Sequence, residues 1–280
     1  MKNVLLTGST GFIGQNVTPI LLKQYNVETP SRKELDLLDP EAVRRYLAHG
    51  KFDIVVHLAN PTAQNPIDKK DELFERSLRV FTSLAHCSDL YGKMLYLGSG
   101  AEYGKHRALT QVTEEEFGQV LPRDSYGLAR YIMNDITERK GNIVNFRLFA
   151  CCGPSDPPYK LIQHIIGCVQ HGETITQRQN TLFDFLYASD IAPVFQYFIE
   201  NEAKYKAYNL CSGEQTYTAG IANEVKRQMD SDLPIAFDKE DTGLEYTGAN
   251  DRLRSEFPSW KPTRIEESIR RIIAYENREV

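Results

Sequence analysis

TGSTGFIG, residues Thr7–Gly14, follows directly on the apolar run Val4-Leu5-Leu6 and decides how the chain is read. A buried strand that enters a helix through Gly8, Gly11 and Gly14 brings backbone N–H groups against a pyrophosphate, and the helix N-terminus adds a partial positive charge. Glycine is needed where a side chain would block that approach. The spacing is Gly-x-x-Gly-x-x-Gly and not GxGxxG. Its place after an N-terminal strand makes it a cofactor loop, with Thr10, Phe12 and Ile13 beside the glycines.

Working outward, apolar runs at 4–7, 53–59, 94–98 and 143–149 read as strands buried on both faces. Segments 40–49 and 73–90 between them have helical character. This alternation predicts an α/β fold, a Rossmann-type doubly wound parallel sheet with a smaller C-terminal substrate lobe. Pro19 falls inside the first helix, where a proline costs about 3 kcal/mol and should kink it. The loop 153–159 holds three prolines and one glycine and marks a boundary. A dinucleotide-binding domain is expected over 1–153, rejoined by about 181–205, with 154–280 mainly a substrate-binding lobe that ends in an amphipathic segment at 265–275.

Apolar residues make up 41% of the 280 and charged residues 25%, enough for a sizeable core. A net charge of −5 argues against a general nucleic-acid binder, which needs a basic face. No apolar run approaches the roughly 18 residues of a membrane span, and the start lacks the apolar core of an export signal. Five cysteines without paired spacing fit reduced thiols in a cytoplasmic protein and suggest no metal site.

Further segments extend the pattern in order. They are Val55-Val56-His57-Leu58-Ala59, LYLGSGAEYG at Leu95–Gly104, Tyr126-Gly-Leu-Ala-Arg130, FDFLYASD at Phe183–Asp190 and YNLCSG at Tyr208–Gly213. Together with TGSTGFIG they resemble the extended short-chain dehydrogenase/reductase family, which includes epimerases, dehydratases and reductases of nucleotide sugars, and the resemblance spans nearly the whole chain. It places Leu58 and Ala59, at the end of the family's fourth strand, beside the cofactor. Ser99 becomes the catalytic hydroxyl and Tyr126 with Arg130 the Tyr-x-x-x-Lys pair, also in reach of the cofactor. It leaves oligomeric state open, related enzymes often being homodimers.

The residues explain why that pair is needed. Tyr126 and Arg130 lie four apart on a helix that Asp124 can cap, with Gly141 beyond its end, so phenol and cation project from one face. Hydride addition to a ketone leaves an alkoxide that must be protonated. A neighbouring cation brings a phenol, with an ordinary pKa near ~10, closer to working pH. Ser99 would polarise the same oxygen. Arg130 departs from the family's lysine: it keeps the charge, but its planar fork has a different reach.

After the second strand, at about 25–29, comes Pro30-Ser31-Arg32-Lys33. Arg32 is placed to bind a 2′-phosphate, while Glu28, the nearby acid, is read as lying inside the strand. The stretch Glu34–Asp39 resembles enzymes of the GDP-fucose synthase and dTDP-4-keto-rhamnose reductase type, which use NADPH. NADP(H) is therefore preferred, with NAD(H) as the alternative.

Departures from the family narrow the chemistry. Gly100-Ala101 stands where 4,6-dehydratases carry Asp-Glu, and Ala101 where the C3/C5 epimerase-reductases carry cysteine. What remains is NADPH-dependent reduction of a 4-keto-6-deoxy nucleotide sugar. One alternative is an NAD-dependent C4 epimerase, and another is a dinucleotide-binding regulatory protein that has lost catalysis. Lys160, in a Tyr-Lys-Leu-Ile segment, and Arg178 and Arg252, in place of a family arginine missing at Phe183, are the candidate substrate-binding residues. His57, after a buried strand, reads as structural.

Overall fold

The structure is a computed structural model that describes residues 1–61 and 70–278. Its first half alternates as the apolar runs require: β1 Asn3–Thr7, α1 Phe12–Leu21, β2 Asn26–Glu28, α2 Pro40–Gly50, β3 Ile54–His57, α3 Lys70–Ala85 and β4 Lys93–Ser99. A 3-10 turn, Gly100–Tyr103, leads to β5 Leu109–Val112, α4 Ser125–Glu138, β6 Ile143–Leu148 and β7 Ala150–Cys152. There follow α5 Leu161–His171, β8 Ile175–Gln177, β9 Leu182–Tyr187, α6 Ile191–Glu200 and β10 Ala207–Leu210. The chain ends with β11 Gln215–Tyr217, α7 Thr218–Gln228, β12 Ile235–Phe237, β13 Tyr246–Gly248, α8 Asp251–Glu256 and α9 Ile265–Glu276.

Six strands form one sheet in the order β2-β1-β3-β4-β6-β10, and each neighbouring pair is parallel. The chain steps outward from β1 to β2 and then crosses to β3 on the other side. The crevice at the carboxyl ends of β1 and β3 is thus the switch point where such sheets hold a dinucleotide. The Val55–Ala59 segment belongs to the third strand and not the fourth, because 29–39 runs as loop and turns. The helix expected over 73–90 stops at Ala85, where the Tyr91 hydroxyl donates to the Leu84 carbonyl at 3.1 Å and so satisfies the helix end. Pro19 stands two residues before the end of α1 and so interrupts only its last turn.

One face of the sheet packs against α1 and α6 through Val4, Leu6, Val17, Phe146, Phe195 and Phe198. The Phe146 ring lies 5.0 Å from Phe198 and 5.6 Å from Phe195, edge-on, and such a cluster adds to area burial. The other face packs Leu5, Val55, Met94 and Tyr96 against α2, α3 and α4. A third core joins α5, α7 and α9 through Ile165, Ile221 and Ile269.

A second sheet, β11-β9-β13-β5, borrows β5 from the segment after Ser99. Tyr246 of β13 is in register with Leu109 of β5 and Phe183 of β9. This pairing brings residues from late in the chain to the mouth of the first sheet. No helix among the described residues is long and apolar enough to cross a membrane.

Candidate active site

The Gly8–Gly14 turn is shaped first by its own backbone. Gly8 has φ +81°, and a Cβ there would stand 2.5 Å from the Ala59 amide nitrogen. Leu58 and Ala59 thus form the opposite wall of the crevice. A Cβ on Gly14 would meet the Gly8 carbonyl oxygen at 2.1 Å. Gly11 differs, since its Cβ would lie 3.5 Å from that oxygen, an ordinary contact. Among the described residues no neighbour demands glycine at Gly11. Gly11 begins α1 without a side-chain cap, and the first helical N–H groups, of Phe12, Ile13 and Gly14, are those a helix leaves without intrahelical partners. Thr10 and Gly11 are exposed, and Phe12 and Ile13 half-buried. These residues suit a dinucleotide pyrophosphate.

Arg32 lies on the loop after β2, its side chain 69% exposed and its Nε 3.9 Å from Asp36. Glu28 is the last residue of β2. It thus lies inside the strand, as expected, and its carboxylate accepts from the Tyr46 hydroxyl at 3.0 Å. An acid and a base thus flank the same strand end.

The reacting groups meet at the carboxyl end of β4. Asp124 caps α4, accepting from the Gly127 N–H at 2.9 Å, and this sets Tyr126 on the first turn with Arg130 one turn later. Tyr126 is 43% exposed over the residue as a whole. Burial alone would push the Tyr126 phenol up. The Arg130 charge, a hydrogen bond with Ser99 and the Lys105 charge outweigh it and hold the pKa below its ordinary value of 10.0. The Arg130 guanidinium stands 5.2 Å from the Tyr126 ring centroid and is itself buried. It donates through Nη1 to the Tyr96 hydroxyl and to the Leu97 carbonyl, the latter at 3.3 Å. Its buried Nε–H has no hydrogen-bond partner among the described residues.

Ser99 is held from both sides. Its Oγ accepts from the Ala101 N–H at 3.2 Å, and its own N–H donates to Glu102 Oε1 at 3.0 Å. His57 is a structural residue, bonded to Thr7 Oγ1 at 2.8 Å. Burial, with the Arg130 charge, pulls its pKa down to about 3, so it stays neutral.

The substrate-lobe candidates separate. Lys160 is exposed at the start of α5 and lies near the Asp156 carboxyl, which burial raises to about 7 against the Lys160 charge. Arg178 is exposed just after β8, on the small β8–β12 sheet and outside the Ser99–Tyr126 cluster. Arg252, also expected to bind substrate, is engaged within the fold. It pairs with Glu115 and with Glu114 at 3.8 Å, donates to the Ala207 carbonyl and stacks 4.4 Å from the Tyr205 ring centroid. Its charge is consumed in joining α8 to β10. Asp184 is likewise structural, accepting from Ser212 N–H and O–H at 2.6 and 2.7 Å and from Gly213 N–H at 2.8 Å. A groove of about 620 Å³ lined by Arg227, Arg264 and Arg270 has those cations paired to Glu224, Glu214 and Glu267.

Sequence reasoning missed Tyr96, Glu102, Lys105 and Tyr246. Only the short GAEYG spacing hinted at Glu102, which lies three residues after Ser99 and so completes a capping box.

A family model described as "NAD dependent epimerase/dehydratase family" matches residues 4–211. The chain is 25% identical over 228 residues to GDP-L-colitose synthase of Yersinia pseudotuberculosis, covering 72% of this chain and 73% of that protein. Among solved structures, a GDP-L-fucose synthetase from Naegleria fowleri bound to NADP superposes with a TM-score of 0.86 at 20% identity, covering 100% of this chain and 94% of that one. A UDP-glucose 4-epimerase from Thermotoga maritima with UDP-glucose superposes with a TM-score of 0.84 at 17% identity, with 99% of each chain covered.

Proposed function

The chain belongs to the NAD dependent epimerase/dehydratase family, and from that premise we propose that it reduces a 4-keto-6-deoxy sugar carried on a nucleoside diphosphate, using NADPH. The observation that carries this reading is the convergence of Ser99, Arg130 and a phenol of lowered pKa, Tyr126, beside a position that holds no carboxylate. Likeness to enzymes named for NADP and for GDP and UDP sugars supports the cofactor and substrate class.

NADPH, when bound, supplies hydride to the carbonyl carbon. The chain does the rest. The Gly8–Gly14 turn and Leu58–Ala59 seat the pyrophosphate between β1 and β3. Ser99 donates to the reacting oxygen as charge develops there, and Tyr126 delivers the proton that turns the alkoxide into an alcohol. Arg130 steadies the phenolate left behind and turns its free Nε–H to the ribose. Lys160 and Arg178 are the cations left to meet the nucleoside diphosphate from the second lobe. Gly100 supports reduction over elimination: its side-chain space is filled by the Phe149 ring at 2.9 Å and the Tyr246 hydroxyl at 2.8 Å, so no carboxyl group stands there.

One observation favours a second reading. Glu28 at the end of β2 suits the ribose 2′-hydroxyl of NAD, and a retained NAD suits a C4 epimerase. The two readings separate on stoichiometry. Incubation with NADPH and 4-keto-6-deoxy nucleotide sugars should oxidise one NADPH per sugar reduced. Interconversion of two sugars with no net cofactor turnover would replace this reading with the epimerase.

Arg32 gives a second check. Arg32→Ala should raise the KM for NADPH roughly 10- to 100-fold, the worth of one hydrogen bond to a charged group, and leave that for NADH within about twofold. Equal effects on both would remove Arg32 from the 2′-phosphate site.

A further inference from the structure

An arginine at position 130 sets a geometric requirement that a lysine would not. An ammonium acts as a point charge on a flexible stem, whereas a guanidinium is a rigid planar fork whose orientation has to be held. Arg130 is 5% exposed, and its Nη1 donates to the Tyr96 hydroxyl and, at 3.3 Å, to the Leu97 carbonyl. Tyr96 is itself buried on β4, the strand that ends in Ser99. The guanidinium carbon stands 5.6 Å from the Tyr96 ring centroid and 5.2 Å from that of Tyr126, within cation–π reach of both. We propose that Tyr96 is a positioning residue of the reaction site, its hydroxyl oxygen anchoring one end of the Arg130 fork and so setting that charge against Tyr126.

The Tyr96 hydroxyl is oriented for this task. It donates to the Met133 sulfur at 2.9 Å, which leaves its lone pairs to accept from the guanidinium. Burial outweighs the Arg130 charge and raises the Tyr96 pKa, so the group stays a neutral phenol. A hydrogen bond with one charged partner is of the stronger kind. The Tyr96 ring is fixed in turn by Phe81 at 4.7 Å and His57 at 5.7 Å, and its strand is paired on both sides, with β3 and β6. The other titratable groups facing the guanidinium are His57 from β3, Glu102 from the turn after Ser99 and Tyr126 from α4; Lys105 stands over the far phenol, 5.4 Å from the Tyr126 centroid. His57 is neutral, and Glu102 is bonded to Arg147 and Asn145. A phenylalanine at 96 would keep the ring contacts. The oxygen is what it would lack, and the oxygen is what Arg130 uses. Positions 96 and 130 are therefore a matched pair.

This inference rests on the proposed reductase reading only in taking Tyr126 as the proton donor, and its test needs no substrate. Tyr96→Phe is made both in the natural chain and in Arg130→Lys. The ultraviolet titration of tyrosinate is followed on the NADP-bound proteins, with the Tyr126 component identified by its loss in Tyr126→Phe. With Arg130 present, Tyr96→Phe should move that component to higher pH by about half to one unit, at most the lower worth of one hydrogen bond to a charged group. With lysine at 130 the same change should leave it in place, because an ammonium needs no anchored fork. A shift of equal size in both backgrounds, or none in either, overturns the proposal. Should Tyr96→Phe fold only with lysine at 130, the same coupling is read in stability and supports the pair; failure to fold in both backgrounds makes Tyr96 a packing residue and overturns it. An unaltered enzyme that reduces no 4-keto-6-deoxy nucleotide sugar removes the reductase reading alone, and the titration still decides the role of Tyr96.

Discussion

Tyr126→Phe lowers the rate of ketone reduction about 100- to 10,000-fold, the range of a lost general acid, while NADPH still binds. Binding should survive because the substitution leaves unchanged the Gly8–Gly14 turn and the 58–59 backbone beside it, the proposed seat of the pyrophosphate. The pH profile of the unaltered enzyme carries the same information. Reduction needs the protonated phenol, so its rate falls as pH rises through the Tyr126 pKa. Because that pKa is held below 10.0, the alkaline limb lies below pH 10. Oxidation of the product alcohol needs the phenolate, so its rate rises through the same pKa. Arg130→Met removes the strongest influence lowering the pKa and should move both limbs to higher pH. Steady-state rates in the two directions, across pH, check this. A Tyr126→Phe enzyme within threefold of wild type removes Tyr126 from the chemistry, and limbs unmoved in Arg130→Met remove the guanidinium from its control.

Much of this site is readable before any coordinates because its signals are local. The turn at Gly8–Gly14 is set by neighbours within a few residues, and the Tyr126–Arg130 spacing becomes a shared face as soon as Asp124 starts a helix. What stays hidden depends on chain segments meeting. Tyr246 lies 120 residues from Tyr126 in a three-residue strand, too short for any periodic signal. Only the pairing of β13 with β5 takes its hydroxyl to the space over Gly100. Arg252 reads as a free cation until α8 docks on β10 and Glu114 and Glu115 surround it. Glu28 and Arg32 are ambiguous for a different reason. Where a three-residue strand ends decides which of them faces the ribose, and a shift of one residue reverses the inference. Arg130 in the lysine position reads as a defect in the sequence. In the fold, Tyr96 and the Leu97 carbonyl take one end of its planar fork, and its buried Nε–H is left without a partner among the described residues.

Glu102 shows how far the visible chemistry depends on an invisible support. In the sequence it is one acid in a polar stretch, whereas in the fold it is fully buried beside an equally buried Arg147, whose Nε donates to Glu102 Oε2 at 2.7 Å. Its oxygens also accept from the Asn145 amide at 3.0 and 3.1 Å and from the Ser99 N–H at 3.0 Å. Arg147 in turn donates to the Tyr103 hydroxyl at 3.0 Å, and Tyr103 to Asn209 at 2.7 Å. The network therefore ties the turn that presents Ser99 to β6 and β10. Replacing Glu102 by Gln keeps the shape but leaves the Arg147 charge uncompensated and sets an amide N–H₂ against a donor. Breaking a buried pair this way costs about 3–5 kcal/mol, to be measured by urea unfolding. Arg147→Met alone should cost a similar amount, because it strands the carboxylate. The double variant should cost clearly less than the sum of the two, since neither charge is then left alone. Additive losses would mean that the two side chains stabilise the protein independently, and that Ser99 is held by the backbone of its turn and not by this ion pair.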